Sequence, residues 1–423
     1  MDIKLFLGGI PGKDCGGFCK FCNFKTFDYK KFENINCRYC PPNHNGCNYC
    51  RNYFKEVYSD FKHPNDVLLN LETQLIRMRF FDGLGIEDTF DDTKILVGSN
   101  GDFTFYPYLK ELISKLKQYQ LPIYFGYTTG KGIKNEKKIQ ELLNMNIDGI
   151  RFSIFSSNPE IRRKWMNDNS PEISLKAIEM FSENIDLHAS SVVIPGITDL
   201  EELIKTGTKL EEWGVKLFTL IRFSNFINQG NILNNRPIID GITPYSFEEF
   251  QDIVTIVNDE FKYRVVGLPV FDPENYYPYI LSSRKYSPYL GFLPDITSEA
   301  TIITGKYSEK YLKKIFKKID ENSMVNVISV DKEIGDLITS DDFSKIELDE
   351  VKNKVIIPGN ALLSDNQAET LLMKDGRFRE VVRGPDALTL VDETPVDEKP
   401  IDKKKAIKFE LNAFTNLINT INS

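Results

Sequence analysis

Beyond residue 50 the chain contains no cysteine, although it runs to 423 residues. It holds three histidines and two tryptophans, and its net charge of −8 with a pI near 5.3 leaves no basic surplus. No Lys/Arg block abuts an apolar run, so neither a nucleic acid nor an anionic membrane surface is an expected partner. No stretch approaches the ~18 consecutive apolar residues of a membrane span. The opening MDIKLFLGGIPGKD breaks at Gly and Pro before a signal-peptide core forms, so the expected location is cytoplasmic. No internal repeat is visible. What remains is ordinary globular material: 41% hydrophobic and 12% aromatic residues, in a chain long enough for two or three domains.

The cysteines that are present crowd together at positions 15, 19, 22, 37, 40, 47 and 50. An odd number of thiols at close spacing, without an oxidising compartment, favours metal ligation over a disulfide scaffold. Cys15, Cys19 and Cys22 form C-x3-C-x2-C. Three thiolates can hold three corners of a 4Fe-4S cluster and leave one iron open for a substrate or cofactor. Gly16 and Gly17 allow the backbone to wrap closely, and Phe18 and Phe21 can shield the inorganic core. The competing reading is a zinc clip that borrows a fourth ligand from the next motif. Cys37, Cys40, Cys47 and Cys50 form C-x2-C-x6-C-x2-C, a tetrahedral sulfur site that takes a mononuclear iron or zinc; the ligands are the same for both. Its saturated coordination points to a structural role, with His44 exposed in the loop between the two pairs.

From residue 1 to 275 short β-branched runs alternate with amphipathic helical stretches. IKLFL, KILVGS, PIYFGY, GIRFSIFS, DLHASSVVI, VKLFTLIRF and YRVVGLPVF read as strands. That alternation predicts an α/β fold, a parallel sheet closing wholly or partly into a βα barrel, with chemistry at the carboxyl edge where the loops converge. The cluster loop, residues 12–25, follows the first strand and falls at that edge; the four-cysteine loop occupies 36–51. A Pro- and Tyr-rich connection then leads into a smaller α/β unit, giving a second domain over 276–400. The charged stretch DETPVDEKPIDKKK reads as a linker before a terminal helix at 401–423.

These motifs resemble a known family. C-x3-C-x2-C after the first strand of a βα barrel is the signature of radical S-adenosylmethionine (SAM) enzymes. The strings PGKDCGGFCKFCNFK, CRYCPPNHNGCNYC, GSNGDFTFYP, GYTTGKG, IIPGNALL and VVRGPD together resemble the cobalamin-dependent methanogenesis-marker group of archaea, which C-methylates an arginine of methyl-coenzyme M reductase. The resemblance implies a post-translational methyltransferase acting on the arginine δ-carbon of the reductase alpha subunit. It also implies a 4Fe-4S cluster, SAM, a corrinoid in the C-terminal domain and an external electron donor. An unactivated aliphatic carbon has no lone pair, which is why polar methyl transfer does not suffice and cofactor chemistry is needed.

By the same resemblance Gly101 and Asp102 stand where the SAM ammonium is held, with a helix-capping Asp as the alternative. Ser153, with Arg162 or Arg163 (Arg163 preferred), stands where its ribose and carboxylate bind. Tyr106, ahead of Tyr108 and Tyr127, stands where a tyrosine occupies the open iron. No Asp-x-His-x-x-Gly motif occurs, so a corrinoid would bind without a histidine on its cobalt, and His188 reads as a core or rim residue. The PGNALL run and the Gly384 turn are its candidate contacts. Two other readings stay open: a radical SAM peptide-modifying enzyme without cobalamin, and a zinc-ribbon adaptor.

Overall fold

The computed structural model describes residues 2–26, 59–83, 93–225, 236–274, 278–385 and 402–423; Cys37, Cys40, His44, Cys47 and Cys50 lie outside these. Strands and helices alternate along the first part of the chain. They are β1 Ile3–Phe6, α1 Pro64–Gly83, β2 Ile95–Gly98, α2 Leu109–Leu116, β3 Ile123–Thr128, α3 Glu136–Leu143 and β4 Gly149–Ser153. There follow α4 Pro159–Met166, α5 Pro171–Ser182, β5 Asp186–Val193, α6 Leu200–Glu212, β6 Leu217–Arg222, α7 Phe247–Glu260 and β7 Arg264–Leu268. All seven expected strands are present.

They pair in chain order, β1 to β7, and every pair is parallel. Among the described residues β1 and β7 do not pair, so the barrel is partial. Period-2 alternation decides which face is which. Ile3, Leu5, Ile95, Val97, Ile123, Phe125, Ile150, Phe152 and Phe218 point to the helical layer and are buried there with Leu112, Leu142, Ile178 and Leu203. The intervening residues turn to the concave face, where a cavity of about 620 Å³ opens against all seven strands.

A second parallel sheet carries the rest: β8 Ala300–Thr304, α8 Lys306–Ile319, β9 Val325–Ser329, α9 Ser340–Phe343, β10 Lys354–Ile357, α10 Asp365–Leu372 and β11 Glu380–Arg383. Its order is β11-β10-β8-β9, so the chain reverses direction between β8 and β10. The terminal helix, α11 Lys403–Asn422, buries Phe414, Leu417 and Ile418 against Ile302 and Ile356 of this sheet, which makes it part of the second core. Lys403 to Lys405, read as linker, instead open this helix, capped by Asp402. Among the described residues no helix is long and apolar enough to cross a membrane.

Candidate active site

The loop after β1 is shaped by glycine and by backbone hydrogen bonds. Gly12 has a φ of +82°, and a Cβ there would lie 2.4 Å from the Phe18 ring. The Gly12 N–H donates to Cys15 Sγ at 3.2 Å, and the Gly17 N–H donates to the Gly12 carbonyl. Phe105 covers Gly16 from the next loop, and Phe21 stacks on Phe155 at 4.4 Å. The Lys20 N–H donates to the Trp165 carbonyl, which leans the loop on α4. Cys15, Cys19 and Cys22 are free thiols, partly exposed at the carboxyl edge of the sheet. Burial pushes all three thiols up, Cys22 to about 11.

The neighbouring loops are pinned to it. A Cβ on Gly101 would come within 2.8 Å of the Asp14 carbonyl, and the Asp102 N–H donates to that same carbonyl at 2.8 Å. Asp102 was expected to face SAM; its carboxylate is instead buried and accepts from five donors. These are the N–H and Oγ1 of Thr104 (3.0 and 2.7 Å), Thr128 Oγ1 (2.9 Å), and the N–H and Oγ1 of Thr129 (2.7 and 2.8 Å). It caps the short 3-10 turn Phe103–Phe105 and sews the end of β2 to the end of β3. The capping alternative describes it, and Gly101 serves close packing.

Lys131, given no role by its sequence pattern, is buried in the next loop and donates to Gly17 O at 2.6 Å and Met166 O at 3.0 Å, with Cys19 Sγ at 3.9 Å. Arg162 and Arg163 differ as a helix requires, since adjacent residues face directions about 100° apart. Arg163 lies on the surface, paired with Glu160 and Glu172, and does not reach the site. Arg162 is fully buried, binds Asp168 at 2.8 Å and donates to the carbonyls of Thr129 and Ser153, tying the ends of β3 and β4 together.

Tyr106 is also displaced from its expected place. Its ring sits in the core against Phe61, and its hydroxyl donates to the Lys62 carbonyl at 2.8 Å. Burial pushes this phenol up, which opposes the phenolate an iron would take. The Asp102-capped turn sets this phase, sending Phe103 and Tyr106 inward and Phe105 toward the cysteines. Tyr108, at the start of α2, packs near His63. Of the three tyrosines weighed, Tyr127 lines the cavity, together with Ser153, Arg151, His188 and Ser190. His188 is a buried strand residue, as expected.

The loop fits a cluster by its chemistry. Among the described residues no three His, Cys, Asp or Glu side chains converge on a single-ion site. A cluster does not ask for that, because each thiolate binds a different iron. The cavity on the concave face has the volume of a small-molecule site, and Ser153, Ser190 and Tyr127 are among the residues that line it.

The second sheet fits a corrinoid less well. The cavity at its topological switch point is about 20 Å³, lined by Ile302, Ile357 and Leu417 among others. Gly384 packs on Ile356, and Arg383 ties down the Gly359 and Leu363 carbonyls of the PGNALL loop. The described residues of that edge form no cradle for a macrocycle.

Residues 30–207, somewhat under half of the chain, match the family model described as the Radical SAM superfamily. The match begins after the three cysteines. No curated protein matches the sequence. Among solved structures, a radical SAM methyltransferase from Sphaerobacter thermophilus is similar at 10% identity, over 63% of this chain and 65% of that one, with a TM-score of 0.40. Streptococcus suis SuiB bound to its precursor peptide SuiA is similar at 11% identity, over 79% and 58%, TM-score 0.41. A domain of the pyruvate-formate lyase-activating enzyme from Bacteroides vulgatus is similar at 13% identity, over 40% and 94%, TM-score 0.31. The chain thus spans less than two thirds of the methyltransferase and of SuiB. Likenesses at these scores add nothing to the reading of the site.

Proposed function

We propose that this chain is a radical SAM C-methyltransferase that acts on the δ-carbon of an arginine in the methyl-coenzyme M reductase alpha subunit, with cobalamin as methyl carrier. The observation that supports it most is the free Cys15–Cys19–Cys22 trio in the loop after the first strand of a partial parallel barrel, whose concave face holds a cavity of about 620 Å³. When bound, the cluster and SAM supply reductive cleavage to a hydrogen-abstracting radical, and the corrinoid supplies the methyl group. The chain's own contribution is positional. Gly12, Gly16 and Gly17 shape the loop that carries the three cysteines, Phe105 packs on Gly16 and Phe21 on Phe155, and Ser153, Ser190 and Tyr127 line the cavity where a ligand would sit. The arginine substrate rests on the resemblance of the motif strings.

The lack of a macrocycle cradle among the described residues of the second sheet favours a second reading, a radical SAM peptide-modifying enzyme without cobalamin. Both readings share the cluster. Anaerobically purified protein should carry about five irons and about four sulfides, one cluster plus one lone ion, if the four-cysteine loop holds iron, and about four of each if it holds zinc. Incubation with an arginine-containing reductase peptide, SAM and a reductant should add one methyl by mass spectrometry, with corrinoid absorption in the active fraction. Methyl transfer by corrinoid-free protein selects the second reading. Zinc without sulfide removes both and leaves the adaptor.

A further inference from the structure

We propose that Lys131 is a positioning residue of the cysteine loop, and that its fixed positive charge beside Cys19 raises the reduction potential of the iron-sulfur group the loop holds. The inference rests on the reading of the three cysteines as cluster ligands and assigns a residue that reading left out.

The geometry of the ammonium carries it. Three protons face three acceptors: Gly17 O at 2.6 Å in the cysteine loop, Met166 O at 3.0 Å at the end of α4, and Cys19 Sγ at 3.9 Å. A lysine is buried in this way at a cost of desolvation, which carbonyl oxygens offset only in part. Among the described residues no carboxylate lies within ion-pairing distance of it. Asp168, the acid nearest in the chain to Met166, is held by Arg162, and the Asp102 carboxylate is spent on its threonines. The charge next to the sulfur is therefore not neutralised by an ion pair, although Asp168 acts against it at Cys19, where Arg162 adds to it, and Asp14 and Asp102 act against it at Cys15; burial keeps salt from screening it.

The backbone beneath it is equally fixed. Thr128 and Thr129 are bonded to Asp102, Gly130 has a φ of +80°, and a Cβ on Gly132 would fall 2.1 Å from Thr104 Oγ1. The TTGKG segment can hardly shift without breaking one of these, so Lys131 starts from an anchored Cα. Reduction adds a negative charge to the cluster. A nearby buried cation stabilises that form over the oxidised one, which moves the potential upward. The same side chain joins the cysteine loop to the ends of β3 and α4, so position and charge come from one contact set.

Full-length Lys131→Gln and Lys131→Arg, each reconstituted anaerobically with iron and sulfide, test this through iron and sulfide counts and a potentiometric titration followed by electron paramagnetic resonance. The Arg variant, which keeps the charge, should titrate near the parent chain, and the Gln variant, which keeps donors but no charge, at a more negative midpoint that persists in high salt. A Gln variant that holds no cluster while the Arg variant does also supports the role, since charge is then required to keep the loop closed. Equal midpoints in all three proteins overturn the proposal, as does an equal fall in both variants. Loss of the native tryptophan fluorescence in both reduces Lys131 to packing and overturns it too. A parent chain that takes up no sulfide refutes the cluster reading itself, and the proposal with it.

Discussion

Replacing Asp102 by Ala separates a structural carboxylate from a substrate-binding one. Of its five donors, the three threonine hydroxyls can rotate toward other acceptors. The backbone N–H groups of Thr104 and Thr129 cannot. Each of those loses a hydrogen bond to a charged acceptor, worth roughly 1.5–3 kcal/mol. The expected destabilisation is therefore about 3–6 kcal/mol, and at about 2 °C per kcal/mol for a domain of this size the melting temperature should fall by roughly 6–12 °C. Both tryptophans, Trp165 and Trp213, lie in the part of the chain that carries the seven-stranded sheet, so intrinsic fluorescence reports on that part. Asp102→Asn should fall between parent and Ala, because it keeps one oxygen but turns an NH₂ toward donors. A variant that melts within 2 °C of the parent while losing SAM affinity in equilibrium dialysis would refute the structural role and restore the ammonium-binding one.

Two further outcomes follow from buried charges elsewhere. Arg162→Met strands the Asp168 carboxylate, which is itself buried, and should cost about 3–5 kcal/mol by tryptophan-monitored unfolding; adding Asp168→Asn should recover part of that loss, and a double variant no better than the single one contradicts the pairing. Glu410 in α11 accepts from the N–H groups of Ile280 and Leu281, which favour its charge, yet burial outweighs them and raises it to about 7. A raised carboxyl stabilises the fold below its unfolded value near 4.5 and loses that contribution as pH rises through 7, about 3 kcal/mol in all. Glu410→Gln should flatten the pH dependence of unfolding between pH 5 and 8, and parallel profiles for the two proteins would refute it.

The strands were legible because β-branched runs such as KILVGS and VKLFTLIRF alternate faces over their full length, and helices at three- and four-residue spacing separate them. The spacing of the cysteine trio restricts the chemistry it could serve, and that part of the reading stands on the sequence. The rest of the site depended on distances between loops that sequence does not contain. An acid after Gly at the end of β2 serves equally as a ligand or a cap; Thr128 and Thr129, some 26 residues away in sequence, decide for the cap. Tyr106 was misplaced because one short turn sets which of Phe105 and Tyr106 faces the cysteines. Arg163 was preferred over Arg162 without regard to helix phase, which puts one in solvent and the other in the core. Lys131 shows in sequence only as a lysine between two glycines, and its meaning comes from Gly17 and Met166, residues more than 30 positions away on either side.

The two sheets meet at their carboxyl edges, and the contact there is of a kind that orients more than it stabilises. Arg222, the last residue of β6, donates to the Tyr245 carbonyl at 2.8 Å and to Glu333 at 2.9 Å, with its guanidinium 4.1 Å from the Phe247 ring centroid. Glu333 belongs to the loop after β9, whose carbonyls accept from Lys306 and Tyr307 just beyond β8. A buried ion pair gains little net stability once desolvation is counted, whereas its planar two-point geometry tolerates little rotation. The Tyr307 hydroxyl adds a second tether to Val270, after β7. Rotation about either contact strains the other, so the two edges are held facing one another. In parallel α/β sheets those edges are where ligands bind. The Arg222–Glu333 pair and the Tyr307 tether thus fix the mouth of the seven-stranded sheet against the loops that follow β8 and β9.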